Sequence, residues 1–258
     1  MRLGLVLLQG HEARMARAAE EHGLFGVLAG AGDPITAITS AVYASTATEH
    51  VRVVVRVQVG LEHPVTIAEE IAVLDNVNNG RTVVLVDTGA LDVADAADEI
   101  AVLREALGNR PLRHDGTRWK VPAGLPANTT APKAIAVTPK PAQLEIPCWV
   151  TGGAAAEVAR QVALPVLARG VSSSLGGGAV QPATAALKGS LGPDRELVSA
   201  WAEAGATHLL LEPPPDSDLT AVMTIISRYL APEVGMPHFP RVMSDSKVPL
   251  PWPGDSRD

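Results

Sequence analysis

The stretch VRVVVRVQVGLEHPVTIAEEIAVLDNVNNGRTVVLV (residues 51–86) decides the fold class. Val51–Val59 is almost entirely β-branched, which predicts a buried strand. His63-Pro64 begins a helix, because proline is favoured at the first helical position. Thr82–Val86 is a second apolar strand. A strand, a helix and a strand in this order predict a parallel pair, since the helix is the crossover that parallel strands need.

The same alternation continues on both sides of this stretch. Helices are expected at Glu12–His22, after Asp33-Pro34, at Asp92–Leu107 and near the C-terminus. The further expected strands are Arg2–Leu8, Leu24–Ala29, Cys148–Val150, Pro165–Ala168 and His208–Glu212. About seven parallel strands predict an α/β fold of the TIM-barrel-like (β/α) type, incomplete because it is one strand short of eight. An open doubly wound sheet is the alternative, but no glycine-rich dinucleotide loop follows the first strand.

The barrel domain is expected to occupy residues 1–232, because 258 residues suit one such domain. Asn109–Pro141 is rich in proline and predicts a long excursion with a small hairpin. Gly170–Gly192 has few large apolar residues and predicts an irregular loop. A proline-rich tail, 233–258, follows the barrel.

Charge and composition exclude several functional classes. A net charge of −7 argues against binding to nucleic acid, which needs a basic surface. No stretch has the length and apolarity of a membrane span. The single cysteine, Cys148, excludes an intrachain disulfide and fits a cytoplasmic location. The histidines lack metal-ligand spacing, so no metal site is expected.

Active sites of (β/α) barrels lie at the carboxyl ends of the strands. This rule selects Gln58, Gly152 and Gly153 as candidates for cofactor binding, together with the segment Arg169-Gly170-Val171-Ser172-Ser173. Glycines let backbone amides approach a ligand, a helix start is partly positive, and an arginine pairs with phosphate. The alternative is an ordinary strand-to-helix turn and a solvated arginine.

Three charged or titratable residues are candidates for catalysis. His11 and Asp87 follow strands and can act as acid or base at the barrel mouth. His11 is equally understood as an exposed residue at a helix start, and Asp87 as a turn cap. Arg56 lies within a strand, where a charge needs a partner. Its partner is expected to be Asp87 or Glu62, or else it forms an anion site.

Several segments resemble the bacterial luciferase-like family in order and spacing. They are ARAAEEHGLFG (16–26), the Asp33–Gly80 region with its Asp-Pro and His-Pro helix starts, VLREALGNRPLRHDGTRW (102–119) and PKPAQLEIPCWVTGG (139–153). The resemblance implies a shortened flavin-dependent oxidoreductase or monooxygenase for a small organic substrate, with FMN or a deazaflavin as cofactor. It also implies a homodimer formed through helices 34–46 and 64–77.

Two of the departures from the family pattern bear on the flavin site. Gly30-Ala31-Gly32 passes directly into Asp33, where members carry a histidine-containing loop. Val54-Val55-Arg56 replaces a small pair that lies against the flavin ring. These departures favour the alternative of a non-catalytic relative that binds a flavin or a partner subunit, or that binds no cofactor.

Overall fold

The computed structural model describes residues 1–123, 133–170 and 178–236. The strands are β1 (Arg2–Val6), β2 (Gly26–Ala29), β3 (Arg52–Gln58), β4 (Thr82–Asp87), β5 (His114–Asp115), β6 (Lys120–Val121), β7 (Cys148–Thr151), β8 (Pro182–Ala186) and β9 (His208–Glu212). The helices are α1 (Glu12–Glu21), α2 (Ala37–Thr46), α3 (Pro64–Val77), α4 (Val93–Leu107), α5 (Ala155–Val162), α6 (Leu191–Glu203) and α7 (Leu219–Ile225), which continues as a π-helix (Ile226–Leu230) and α8 (Ala231–Glu233).

Seven parallel strands form one curled sheet in the order β7-β4-β3-β2-β1-β9-β8. The seven strands and their alternating helices confirm the prediction of an incomplete TIM-barrel-like fold. Residues 165–168 lie between the two edge strands. Leu167 donates its amide to Val150 at 2.8 Å, and Ala168 donates to Pro182 at 3.0 Å. These single bridges join both edges, so the alternative of an open doubly wound sheet is wrong.

Side-chain alternation along the strands separates two apolar layers. One layer packs between the strands and the surrounding helices, and it includes Val53, Val55, Val84 and Val86. The other layer fills the cylinder, and its members are Val6, Phe25, Leu28, Val54, Val83, Leu85, Trp149, Leu167 and Leu210. The interior is therefore a packed core below the carboxyl ends of the strands.

The observed elements correct three sequence predictions. Gly170–Gly192 contains strand β8, which its small residues did not indicate. The helix after Pro34 begins at Ala37, because Asp33 accepts the amide of Ile35 at 2.9 Å in a turn before it. Pro165–Ala168 takes part in single bridges and not in a full ladder.

The excursion that follows α4 is tied back to that helix by a carboxylate. Strands β5 and β6 form the predicted hairpin. Asp98 of α4 accepts the amides of Arg118 and Trp119 at 3.1 and 2.9 Å, and it contacts Nε2 of His114 at 2.9 Å. One α4 side chain thus contacts the first strand of the hairpin and the turn that follows it.

Two features are absent from the described residues. No helix among them is long and apolar enough to span a bilayer. No cluster of three or more potential metal ligands occurs within residues 1–123, 133–170 and 178–236.

Candidate functional site

Two cavities share a wall at the carboxyl ends of the strands, and the second extends from there along β7 and α5 to Pro147 and Pro165. The first, called the chamber, has a volume of about 340 Å³ and is bordered by Gln9, Glu12, Ser40, Arg56, Arg169 and Glu212. The second, called the groove, has a volume of about 1360 Å³ and is bordered by Arg56, Asp87, Gly152, Gly153, Ala156 and Arg169. Arg56, Leu167 and Arg169 line both cavities and separate them.

Arg56 is fixed at this wall by two neighbouring strand ends. Its Nε donates to Oδ2 of Asp87 at 3.0 Å, and its Nη2 forms an ion pair with the same oxygen. Its Nη1 donates to the carbonyl of Ala31 at 2.6 Å. The Arg56 side chain is 17% exposed and that of Asp87 is 7% exposed. Of the two partners expected for Arg56, the structure shows Asp87.

Gly152 and Gly153 form the turn between β7 and α5, and both line the groove. Gly152 has a φ of +108°, and a Cβ there would lie 2.6 Å from Oδ1 of Asp87 and in contact with Thr88. Only glycine fits this position without a shift of its neighbours. A Cβ on Gly153 would meet open space. Among the described residues, no side chain therefore stands between the Gly153 backbone and the groove.

The start of α5 adds to the electrostatic character of the groove. Its N-cap residue is Ala154, whose methyl group cannot accept a hydrogen bond from the first amides. The groove also contains the guanidinium groups of Arg56, which is paired with Asp87, of Arg160, which is paired with Glu157, and of Arg169. The groove is accordingly positive, which suits an anionic group.

The remaining predicted site residues take different positions. His11 is an exposed N-cap residue of α1, and the described residues that line the two cavities do not include it. Gln58 lies at the end of β3 and packs against Gly89. Gly170 follows Arg169 directly, and Val171, Ser172 and Ser173 lie outside the described residues.

Glu12 is a buried cavity residue that the sequence did not indicate. Its side chain accepts a hydrogen bond from Oγ of Ser40 at 2.9 Å, and the residue is 8% exposed. Burial alone would raise the pKa of this carboxyl. Hydrogen bonds from its own amide, Ser40 and the Gly10 amide, with His11 nearby, nevertheless hold that pKa below its usual value. Local sequence spacing could not indicate this contact, because Ser40 belongs to a different helix, α2.

Solved structures with the same fold include enzymes of known cofactor dependence. The crystal structure of the monooxygenase RslO1 from Streptomyces bottropensis has a TM-score of 0.67 at 15% identity, covering 90% of this chain and 99% of that one. The coenzyme F420-dependent tetrahydromethanopterin reductase from Methanopyrus kandleri has a TM-score of 0.60 at 12% identity, covering 90% of this chain and 99% of that one. An F420-dependent secondary alcohol dehydrogenase, in complex with an F420–acetone adduct, has a TM-score of 0.55 at 15% identity, covering 90% of this chain and 98% of that one. These similarities show the shared fold.

The sequence comparisons give the family. A search of curated proteins found no significant match. The profile of the luciferase-like monooxygenase family matches residues 10–183, which is more than half of the chain and runs from just before α1 to the start of β8. The chain therefore belongs to the luciferase-like monooxygenase family.

Proposed function

We propose that this protein is an oxidoreductase or monooxygenase that uses a flavin-type cofactor, FMN or alternatively a deazaflavin, on a small organic substrate. The observation that carries the proposal is the meeting of Gly152, Gly153 and Arg169 around one groove at the barrel mouth. Two structural relatives named as F420-dependent enzymes support a flavin-type cofactor.

The groove residues fit the phosphate end of such a cofactor. Gly153 leaves its backbone accessible, the start of α5 is uncapped by a side chain, and Arg169 is exposed beside them. Amides at a helix start and an arginine fork are the donors that phosphate prefers. Val171, Ser172 and Ser173 stay candidates for the same site from the sequence. The groove volume of about 1360 Å³ exceeds what a drug-sized ligand needs.

The chain itself would bind and orient the cofactor and the substrate, and it would polarise the reacting groups. When bound, a flavin-type cofactor supplies hydride transfer, and FMN also activates oxygen. Arg56, held by Asp87 and Ala31, places fixed N–H donors between chamber and groove, where they would hydrogen-bond to an oxygen that gains negative charge. His11 remains a candidate acid–base group from the sequence, although its exposed position does not favour that role.

One observation favours the alternative of a non-catalytic flavin-binding or partner-subunit relative. Arg56 stands where luciferase-like members have small residues against the flavin ring, and its side chain lines both cavities. A large fixed side chain there would leave less room for the ring. Turnover therefore separates the two proposals, whereas cofactor binding alone does not.

Titration of the purified protein with FMN and with a deazaflavin, followed by fluorescence quenching, tests cofactor binding. We expect saturable quenching by one of them. Reduced cofactor is then mixed with the protein and oxygen, or NADPH consumption is followed, to test turnover. Quenching with turnover supports the oxidoreductase, and quenching without turnover supports the alternative. No quenching by either cofactor would refute both.

We also propose that the protein is a homodimer through α2, α3 and the turn before α2. Large apolar side chains on these elements are exposed, namely Ile35 at 80%, Tyr43 at 56%, Val73 at 51% and Val77 at 48%. Exposed apolar groups gathered on two neighbouring helices are typical of a protein–protein interface. The packing of α2 against α3 places them on one side of the barrel.

A further inference from the structure

The chamber and the groove differ in the sign of their charge. The Arg56 charge is compensated by Asp87 at the shared wall, so it adds little to either cavity. In the groove Arg160 is ion-paired with Glu157, so Arg169 supplies the remaining positive charge. In the chamber three carboxylates, Glu12, Asp33 and Glu212, line the walls together with Arg169, the guanidinium that remains once Arg56 is paired with Asp87. The two cavities therefore suit ligand groups of opposite charge.

Glu12 differs from an ordinary surface carboxylate because it is buried in the wall of the chamber. It is 8% exposed, it lies at the first turn of α1, and Ser40 fixes one of its oxygens. The hydrogen bonds that lower its pKa keep it ionised at neutral pH. A buried anion gains most from a cationic partner, because the surroundings screen it less than water does.

The other chamber walls limit what can enter. Asp33 is engaged locally, since its carboxylate accepts from the Ile35 amide at 2.9 Å and from the Thr36 hydroxyl at 3.2 Å. Leu28, Leu85 and Leu167 form an apolar side. A volume of about 340 Å³ is at the small end of ligand pockets. The chamber thus combines one buried anion with an apolar wall.

We propose that the chamber is the substrate subsite and that Glu12 selects a small apolar molecule bearing a protonated amine. The inference rests on the proposed function, in which the positive groove holds the cofactor phosphate. An ammonium group would pair with Glu12 while its hydrocarbon body contacts the leucine side of the chamber. A carboxylate of the same shape would meet three like charges and be rejected.

Binding of three probes of matched shape tests the proposal. Cyclohexylammonium, cyclohexanol and cyclohexanecarboxylate are titrated at pH 7 against the full-length protein, with binding followed by ligand-observed NMR. In the wild type we expect the amine to bind at least about tenfold more tightly than either other probe. Equal or tighter binding of the carboxylate would overturn the proposal, and this arm needs no variant.

Two substitutions on α1 test whether Glu12 is responsible for the preference for the amine. Glu12→Gln should lower amine affinity about tenfold, to the level of the alcohol. Glu21→Gln, at an exposed position at the end of α1, should leave it unchanged. Unaltered amine binding in a folded Glu12→Gln protein would refute the role of Glu12. Thermal unfolding establishes folding, and Ser40→Ala, which keeps the charge, should retain the amine preference.

FMN quenching in the same samples reports on the groove separately. Retained FMN binding without an amine preference would overturn this inference and leave the proposed function intact. Absence of FMN and deazaflavin binding in the wild type would refute the proposed function. It would also remove the substrate role of the chamber, whatever the amine does.

Discussion

Arg56 and Asp87 are ion-paired across the neighbouring strands β3 and β4, with Nε of Arg56 3.0 Å from Oδ2 of Asp87. Both side chains point into the barrel mouth, where apolar residues fill the layer below. The pair therefore lies between the apolar core and the two open cavities. It holds Arg56 as the wall between chamber and groove.

Breaking this pair on one side should destabilise the fold. Asp87→Asn leaves the Arg56 charge partly buried without its counter-ion, and we expect the free energy of unfolding to fall by about 3 kcal/mol. The double variant Asp87→Asn with Arg56→Gln should recover part of the loss, because both charges are removed together. Urea unfolding of the wild type, of each single variant and of the double variant gives the coupling free energy between Asp87 and Arg56. Additive losses would show that the two residues do not interact.

The adjacent glycines provide a matched pair of substitutions. Gly152→Ala should destabilise by about 2 kcal/mol, because φ is +108° and the new Cβ would meet Asp87 and Thr88. Gly153→Ala should change stability by less than about 0.5 kcal/mol, since its Cβ meets open space. It should nonetheless weaken FMN binding by placing a methyl group in the groove. FMN affinity equal to the wild type in Gly153→Ala would count against a cofactor at this turn.

His208 should make stability depend on pH. Burial, then the charges of Arg2, the N-terminal amine and Arg52, lower its pKa to about 3. The folded form binds this proton less readily than the unfolded form, so stability is lost as pH falls below the ordinary value of 6.5. The loss should approach about 1.4 kcal/mol per pH unit. His208→Gln should flatten the stability curve between pH 6 and 4.5, and an unchanged slope would contradict the shift.

The proposed dimer is tested by introducing charge into its interface. Tyr43→Asp combined with Val73→Asp should convert a dimer of 26.8 kDa chains into monomers, because both side chains are about half exposed in one chain. Leu144→Asp, at a position 84% exposed on another part of the surface, should leave the dimer intact. Light scattering after size exclusion measures the mass. A wild type that is monomeric at micromolar concentration would refute the dimer.

Local patterns predicted most of the barrel. Val51–Val59 and Thr82–Val86 are nearly continuous apolar runs, and such runs identify buried parallel strands without further information. Strand β8 was missed because Pro182–Ala186 has small side chains. It is a strand because Ala168 and β9 hold it on both sides, which are tertiary contacts.

The candidate site was only partly predictable, for a related reason. The rule that strand ends meet at the mouth selected Asp87, Gly152 and Arg169, and all three line the groove. It does not say which side of a helix start faces the cavity. At the start of α1 the exposed residue is His11, and Glu12 is the one that points inward to Ser40. That choice depends on how α1 packs against α2.

In the proposed function, the groove binds the phosphate of a flavin-type cofactor through Arg169 and the Gly152-Gly153 turn. Comparison of FMN with riboflavin, which lacks the phosphate, tests it directly in the wild type, in Arg169→Gln and in the control Arg17→Gln on the outer side of α1. We predict that Arg169→Gln weakens FMN binding about 10- to 100-fold and leaves riboflavin binding unchanged, while the control matches the wild type. Equal affinity of the wild type for FMN and riboflavin, or an equal loss of both in Arg169→Gln, would contradict the account.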